Sequence, residues 1–188
     1  MENLRIAISV LILFDFVSCT HKLHPQTNYQ VSVIEILKEA SQKSGKKEKE
    51  GVNTHIYERR IDAVKLFNIE TDTSKLNSFI VIDIENFEGA DYFGEISVND
   101  SLLYYYSSSY FLSNNKVVVK KEKFSPFATK QTEDLIFSYL KSHRFPELEA
   151  LANEKEKTLS GSFFYSIGMY EKEMDSVYVK SLPAFIIN

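Results

Sequence analysis

Apolar residues recur with two different spacings along the chain, and the change of spacing marks the elements. Between residues 32 and 40 they follow one face of a helix, and Ser32 and Glu35 have the spacing of a capping box. The pattern predicts a helix that begins at Ser32 and ends near Gly45. Lysine, glutamate and glycine dominate residues 41–54, which predicts a solvated loop.

The middle of the chain alternates between apolar and polar residues with a period of two, which predicts a succession of strands. Residues 79–85 show it most clearly, because isoleucines occupy one face while Asp83 and Glu85 share the other. Asn99 and Asp100, and later a Ser-Asn-Asn cluster, are turn sequences that favour antiparallel neighbours. The strands we expect here are residues 55–69, 79–85, 92–98, 101–107, 110–112 and 116–124.

Two short helices and two strands complete the pattern. Thr129 or Thr132 can cap a first helix, and Pro146 stands where a second would start. Residues 162–170 and 176–182 predict the final strands. The order of elements predicts an α+β fold: an antiparallel β-sheet with an N-terminal helix and a helical pair inserted before the last two strands.

Composition limits the classes of protein that need be considered. The chain has 188 residues, which suits one domain, and its single cysteine excludes an internal disulfide. The formal net charge is −4 and the basic residues are scattered, so we expect no nucleic-acid partner.

The amino terminus predicts an export signal over residues 1–18. Arg5 precedes an uncharged apolar run, residues 6–14, that is too short for a membrane-spanning helix of about 20 residues. The sequence Phe-Val-Ser-Cys ends at Cys19. It resembles the lipobox of bacterial lipoproteins, with phenylalanine in the place of the usual leucine.

The resemblance implies that Cys19 is lipidated on sulfur and becomes the first residue of the mature chain. The organisation we expect is a signal peptide over 1–18, a lipid-anchored tether over 19–30 and a single α+β domain over 31–188. Because Thr20 rather than aspartate follows the cysteine, the resemblance implies an anchor in the outer membrane. Residues 20–24 contain no acidic side chain, so the resemblance also implies that the domain faces the periplasm. The alternative is a secreted protein with a plainly cleaved signal.

Two groups of residues are candidates for a site. Asp83 and Glu85 form a candidate acid pair, about 6.6 Å apart along one strand face, and paired carboxylates can hydrolyse glycosides. The alternative is that they mark the solvent side of a half-buried strand. Tyr104, Tyr106 and Tyr110 are candidate ligand-binding residues if one face of their strand is open, and core residues if both faces are covered.

Histidines give weaker candidates. His143 could act as a general base near Glu147, or could simply end a helix. His21 and His24 lie in the polar tether beside Pro25, so we expect no metal site there. The chain has only six glycines and no glycine-rich phosphate loop, so we expect no cofactor.

These features favour a non-catalytic binding or interaction lipoprotein of the cell envelope, with the membrane and an envelope protein as partners. A small envelope hydrolase that uses paired carboxylates and a structural envelope protein are the alternatives. The sequence leaves catalysis open, because no catalytic motif is present to decide it.

Overall fold

Six antiparallel strands form a single sheet with helices on both faces. The computed structural model describes residues 32–43, 54–86, 91–111, 116–156, 163–173 and 176–187. The elements are α1 (Val33–Lys43), α2 (Thr54–Phe67), β1 (Ser78–Asn86), β2 (Asp91–Val98), β3 (Leu102–Phe111), β4 (Lys116–Glu122), α3 (Lys130–Lys141), α4 (Phe145–Glu156), β5 (Phe163–Glu171) and β6 (Ser176–Pro183).

The strand order is β4-β3-β2-β1-β5-β6, so β1 lies in the interior of the sheet. The chain runs outward from β1 through β2 and β3 to β4, crosses through α3 and α4, and returns on the other side of β1. Asn99 and Asp100 turn the chain between β2 and β3 with positive φ angles of 49° and 59°. Their short polar side chains tolerate that conformation, which confirms the predicted turn.

Each face of the sheet has its own apolar core, because successive side chains of a strand point to opposite faces. Phe79 and Val81 of β1 belong to the core beneath α1 and α2. Ile80 and Ile82 belong to the core beneath α3 and α4. We call these the first and the second face. Strand β1 is therefore buried on both faces.

The expected α+β fold is confirmed, including the N-terminal helix and the helical pair before the last two strands. Thr129 caps α3, since its side chain accepts a hydrogen bond from the backbone N–H of Thr132. Strand β3 continues through Tyr110 to Phe111, so residues 110–112 do not begin a separate strand. The Ser-Asn-Asn turn cluster lies outside the described residues.

The strand expected over residues 55–69 was wrong, because this segment forms α2. Its β-branched residues suggested a strand. However, the buried residues Ile56, Arg60, Ala63 and Val64 occupy positions i, i+4, i+7 and i+8, which lie along one helical face. That face packs on the sheet, and two arginines within it obscure the apolar pattern.

The predicted signal peptide, the lipobox with Cys19 and the tether lie outside the described residues. Most of the predicted 41–54 loop lies outside them as well, while α1 extends to Lys43. Within the described parts of the chain, no helix has the length and apolar character needed to span a bilayer.

Candidate functional site

A charged cluster lies between α2 and the first face of the sheet. The helix lies over β3 and β4, while Arg59 and Arg60 reach from it toward the interior of the sheet. Arg60 Nε donates to Oδ2 of Asp83 at 2.7 Å, and Nη2 donates to the backbone oxygen of Ser166 at 2.9 Å. Tyr106 donates its hydroxyl hydrogen to the other oxygen of Asp83. Arg60, Asp83 and Tyr106 are all fully buried.

Gly94 makes the contact between Tyr106 and Asp83 possible. The strand register places Gly94 on β2 between Asp83 on β1 and Tyr106 on β3. A Cβ atom at Gly94 would lie 2.1 Å from Cζ of Tyr106, far inside van der Waals contact. The missing side chain therefore lets the tyrosine ring lie across β2 and reach the carboxylate.

The protonation of this cluster follows from burial and from the charges it contains. Burial is the largest single influence on the pKa of Arg60 and lowers it, but the charge of Asp83, the neighbouring Tyr57 and Tyr106 and the hydrogen bond to Asp83 together outweigh it, so the pKa is raised. Burial raises the pKa of Tyr106 well above its ordinary value, and the charge of Asp83 raises it further. Arg60 therefore stays charged and Tyr106 stays a neutral hydrogen-bond donor.

Arg59 is held differently from its neighbour. Its guanidinium carbon lies 3.8 Å from the centre of the Tyr92 ring, a cation–π contact. Its Nη2 atom lies 4.0 Å from Oε1 of Glu85, within ion-pair range but beyond hydrogen-bond distance. Nε and Nη2 of Arg59 have no hydrogen-bond acceptor among the described residues, although the side chain is buried.

The predicted acid pair lies within this cluster. Asp83 and Glu85 share one face of β1 as expected, but that face is covered by α2 and both residues are buried. The alternative that they mark a solvent side was therefore wrong. Asp83 faces Arg60 and Glu85 faces Arg59, so the two carboxylates have different partners.

The three candidate tyrosines do not form an open aromatic face in the described structure. Tyr106 is a core residue, and Tyr104 packs against Phe67 of α2 with ring centres 5.0 Å apart. The side chain of Tyr110 lies outside the described residues.

A second acid pair, which the sequence analysis did not identify, lies on the other face. Glu95 of β2 and Glu133 of α3 are both buried there. Ser125 Oγ donates to Oε2 of Glu95 at 3.3 Å, and Nζ of Lys130 lies 3.0 Å from Oε1 of Glu133. Burial and the charge of Glu133 raise the pKa of Glu95 to about 8. Glu95 therefore keeps its proton at neutral pH.

Only the tertiary fold brings this pair together, because 38 residues separate the two glutamates in the sequence. Alternation along β2 places Glu95 between Phe93 and Ser97 on the second face, and it was the only available signal. That signal gives the face of Glu95 but not its partner.

The second face also carries an uncovered surface at one side of the sheet. On β3 and β4 the side chains of this face are half-buried or exposed, whereas Ile80 and Ile82 of β1 and Tyr165, Ile167 and Met169 of β5 are buried. Phe93 is 45% exposed and Leu103 is 43% exposed. We define the β3–β4 surface as Phe93, Leu103, Tyr105, Ser107, Val118, Lys120 and Glu122.

His143 is placed away from both acid pairs. Its Nε2 atom lies 3.0 Å from Oε2 of Glu171 on β5, and its ring meets Phe145 edge-on. Glu147, the expected partner, instead pairs with Arg144. No group of three or more histidine, cysteine, aspartate or glutamate side chains within the described ranges could hold a metal ion.

Compared with known proteins, this chain matches no family model, no curated protein and no solved structure.

Proposed function

We propose that this protein is a lipoprotein of the bacterial cell envelope whose domain binds another envelope protein without catalysis. The β3–β4 surface is the binding surface in this proposal. The observation that carries it is the half-exposed apolar pair Phe93 and Leu103 on the same sheet face as the buried core beneath α3 and α4.

The composition of this surface fits a protein partner. Phe93, Leu103 and Val118 supply apolar area, and Lys120 and Glu122 supply charged groups on the outer strand. An apolar patch with polar groups at its border is the usual anatomy of a protein interface. A flat sheet face also suits a protein better than a small molecule, which takes a concave site.

The lipobox resemblance supports the location. A lipid on Cys19 would tether the domain to a membrane, and the tether over residues 19–30 spans at most roughly 40 Å when extended. Such a tether places the β3–β4 surface within reach of other envelope proteins. In this proposal the anchor lies in the outer membrane and the domain faces the periplasm, the alternative being a secreted protein.

The hydrolase alternative has less support. Asp83 and Glu85 are buried beneath α2, and each faces its own arginine, so neither carboxylate of the predicted pair is placed to meet a substrate. A structural envelope protein would also use a surface contact, and it differs from the proposal in needing no selective partner.

Site-specific photo-crosslinking in living cells of the source tests this proposal. A photoreactive phenylalanine analogue replaces Leu103, and the matched control replaces Leu66 of α2, which is 37% exposed on the opposite face. We expect one dominant envelope-protein adduct from position 103, and none from position 66. The Leu103→Lys variant should lose the same partner in co-purification while Leu66→Lys retains it.

Equal crosslinking from both positions would contradict a selective binding surface. Many weak adducts from position 103, with none dominant, would favour the structural alternative.

A further inference from the structure

We propose that one corner of the sheet rests on the membrane to which Cys19 anchors the chain, and that it contacts anionic phospholipids there. The corner lies where β3 begins and β4 ends, and we call Leu102, Lys121, Lys123 and Phe124 the membrane patch. This inference rests on the lipid anchor of the proposed function. It makes no use of the β3–β4 surface.

The first observation is where the chain joins the described domain. Ser32 forms an isolated β-bridge with Asp72. Asp72 follows Phe67, the last residue of α2, by five positions. The ring of Phe67 packs against Tyr104, near the start of β3, with ring centres 5.0 Å apart. The predicted tether over residues 19–30 would therefore reach the domain at the end of the sheet that carries the patch.

Backbone hydrogen bonds place the start of β1 at the same end. The N–H of Asn99, in the turn between β2 and β3, donates to the backbone oxygen of Ser78 at 3.0 Å. The N–H of Asn77 donates to Oδ1 of Asn99 at 2.8 Å. Strand β3 then begins at Leu102, just beyond the turn. The segment that leads from Asp72 into β1 therefore lies beside the start of β3.

The second observation is the exposure of the apolar side chains in the patch. Phe124 is 81% exposed and Leu102 is 53% exposed, the two highest values for large apolar side chains in the described parts of the chain. Phe124 closely follows Glu122, which ends β4 and pairs with Tyr105 of β3. Phenylalanine and leucine are the side chains that membrane-surface segments bury at the boundary between headgroups and acyl chains.

The third observation is the charge beside these apolar side chains. The exposed residues 120–123 comprise three lysines and one glutamate, so their formal charge is +2, whereas the whole chain carries −4. Two acidic residues at this end already have lysine partners. Asp100 pairs with Lys141 at 3.4 Å, and Glu70 pairs with Lys75 at 2.9 Å. Lysines beside a bilayer are attracted to anionic headgroups, and their apolar stems lie along the lipid.

The small size of the patch favours a lipid surface over a protein. A stable protein interface takes about 20–30 residues from each partner, far more than these four side chains. A lipid anchor instead keeps the domain at the membrane, so the local concentration of lipid is high and a weak contact is enough to orient the domain.

Fluorescence quenching by spin-labelled lipids tests this orientation. The full-length protein, expressed in its source and purified in detergent, is reconstituted into vesicles of phosphatidylethanolamine and phosphatidylglycerol. An environment-sensitive fluorescent amino acid replaces Phe124. The matched control replaces Phe163, which is 49% exposed where β5 begins, at the opposite end of the sheet. We expect quenching at position 124 to exceed quenching at position 163 by about threefold or more.

Charge-reversal variants test the contribution of the lysines. Lys121→Glu/Lys123→Glu should lower the quenching at position 124 by about twofold or more, because it replaces attraction to anionic lipid with repulsion. The matched control, Lys38→Glu/Lys43→Glu, changes two exposed lysines of α1 and should leave the quenching unchanged. Vesicles of phosphatidylcholine alone, which carry no net charge, should remove the difference between these two variants. Circular dichroism melts establish that each variant folds.

Sedimentation with the vesicles separates this inference from the anchor on which it rests. Protein that sediments but is quenched equally at positions 124 and 163, or more at 163, would overturn the orientation while the anchor stands. Protein that does not sediment would refute the anchor and the orientation together. Equal effects of the two charge-reversal variants in anionic vesicles would overturn the assignment to anionic phospholipid.

Discussion

Buried carboxyl groups on the two faces of the sheet are stabilised by different means. On the first face Asp83 is a partner of Arg60, so an opposite charge compensates its burial. On the second face Glu95 has Glu133 as its neighbour, and the carboxyl of Glu95 avoids the charge by keeping its proton. Burial of the carboxyl group is therefore compensated by a guanidinium on one face and by a retained proton on the other.

Glu95 should make the protein less stable as pH rises. The pKa of Glu95 in the folded protein, about 8, lies above its ordinary value of 4.5. The free-energy cost of burying this carboxyl group is therefore absent below about pH 4.5, grows up to about pH 8 and is constant above that. The facing groups are Glu133 and Lys130 of α3, Ser125 and Tyr105.

Glu95→Gln should remove this dependence, because glutamine does not titrate. We expect the variant to be more stable than the wild type by about 2–4 kcal/mol at pH 8 and nearly equal at pH 4. Urea unfolding between pH 4 and pH 9 measures the difference, with the exposed Glu154→Gln as control. Parallel stability curves for Glu95→Gln and wild type would contradict this account.

Helix α2 is the element that differs most from its sequence-based prediction. Its helical spacing is interrupted by Arg59 and Arg60, which count as polar positions although both side chains are buried. Their partners come from β1, more than 20 residues further along the chain, so no local pattern could reveal that they face inward. Local patterns did predict the Asn99–Asp100 turn and, as one of two alternatives, the Thr129 cap, because both depend on neighbouring residues.

In the candidate site, too, features set by neighbouring residues could be predicted and features set by distant residues could not. Alternation along β1 correctly placed Asp83 and Glu85 on one face, because the period of two is a local property of a strand. Whether that face is covered depends on α2, and the arginine partners depend on how the helix docks. The sequence therefore predicted that Asp83 and Glu85 are neighbours on one strand face, but not that they are buried or that arginines are their partners.

Docking of α2 should depend on the ion pair between Arg60 and Asp83. Arg60→Leu leaves the Asp83 carboxylate buried without its guanidinium partner, and should lower the free energy of unfolding by about 3–5 kcal/mol. Arg144→Leu is the control, because its ion pair with Glu147 is exposed and should contribute about 0–1 kcal/mol. Urea denaturation measures both.

The double variant Arg60→Leu/Asp83→Leu sharpens this test. It removes both charges together, so it should be more stable than the sum of the two single losses implies. Additive losses would mean that the two side chains contribute independently of each other.

At the scale of the whole molecule, the two faces of the sheet present different chemistry. The first face encloses the charged cluster beneath α2, and the second face presents the β3–β4 surface beside α3. The lipid anchor would determine where in the cell binding at the β3–β4 surface occurs.

Lipidation of Cys19 is the prediction on which the location depends. Cys19→Ala should abolish incorporation of a radiolabelled fatty acid, because Cys19 is the only thiol in the chain and the sulfur is the attachment atom. The wild-type protein should sediment with membranes, and the variant should leave the membrane fraction or remain unprocessed, since anchoring depends on the acyl chains. Ser18→Ala is the matched control, because alanine is also small, and it should still be labelled. Label that persists in Cys19→Ala would mean that the chain is not anchored through this residue, while an unlabelled but processed wild-type protein in the medium would favour the secreted alternative.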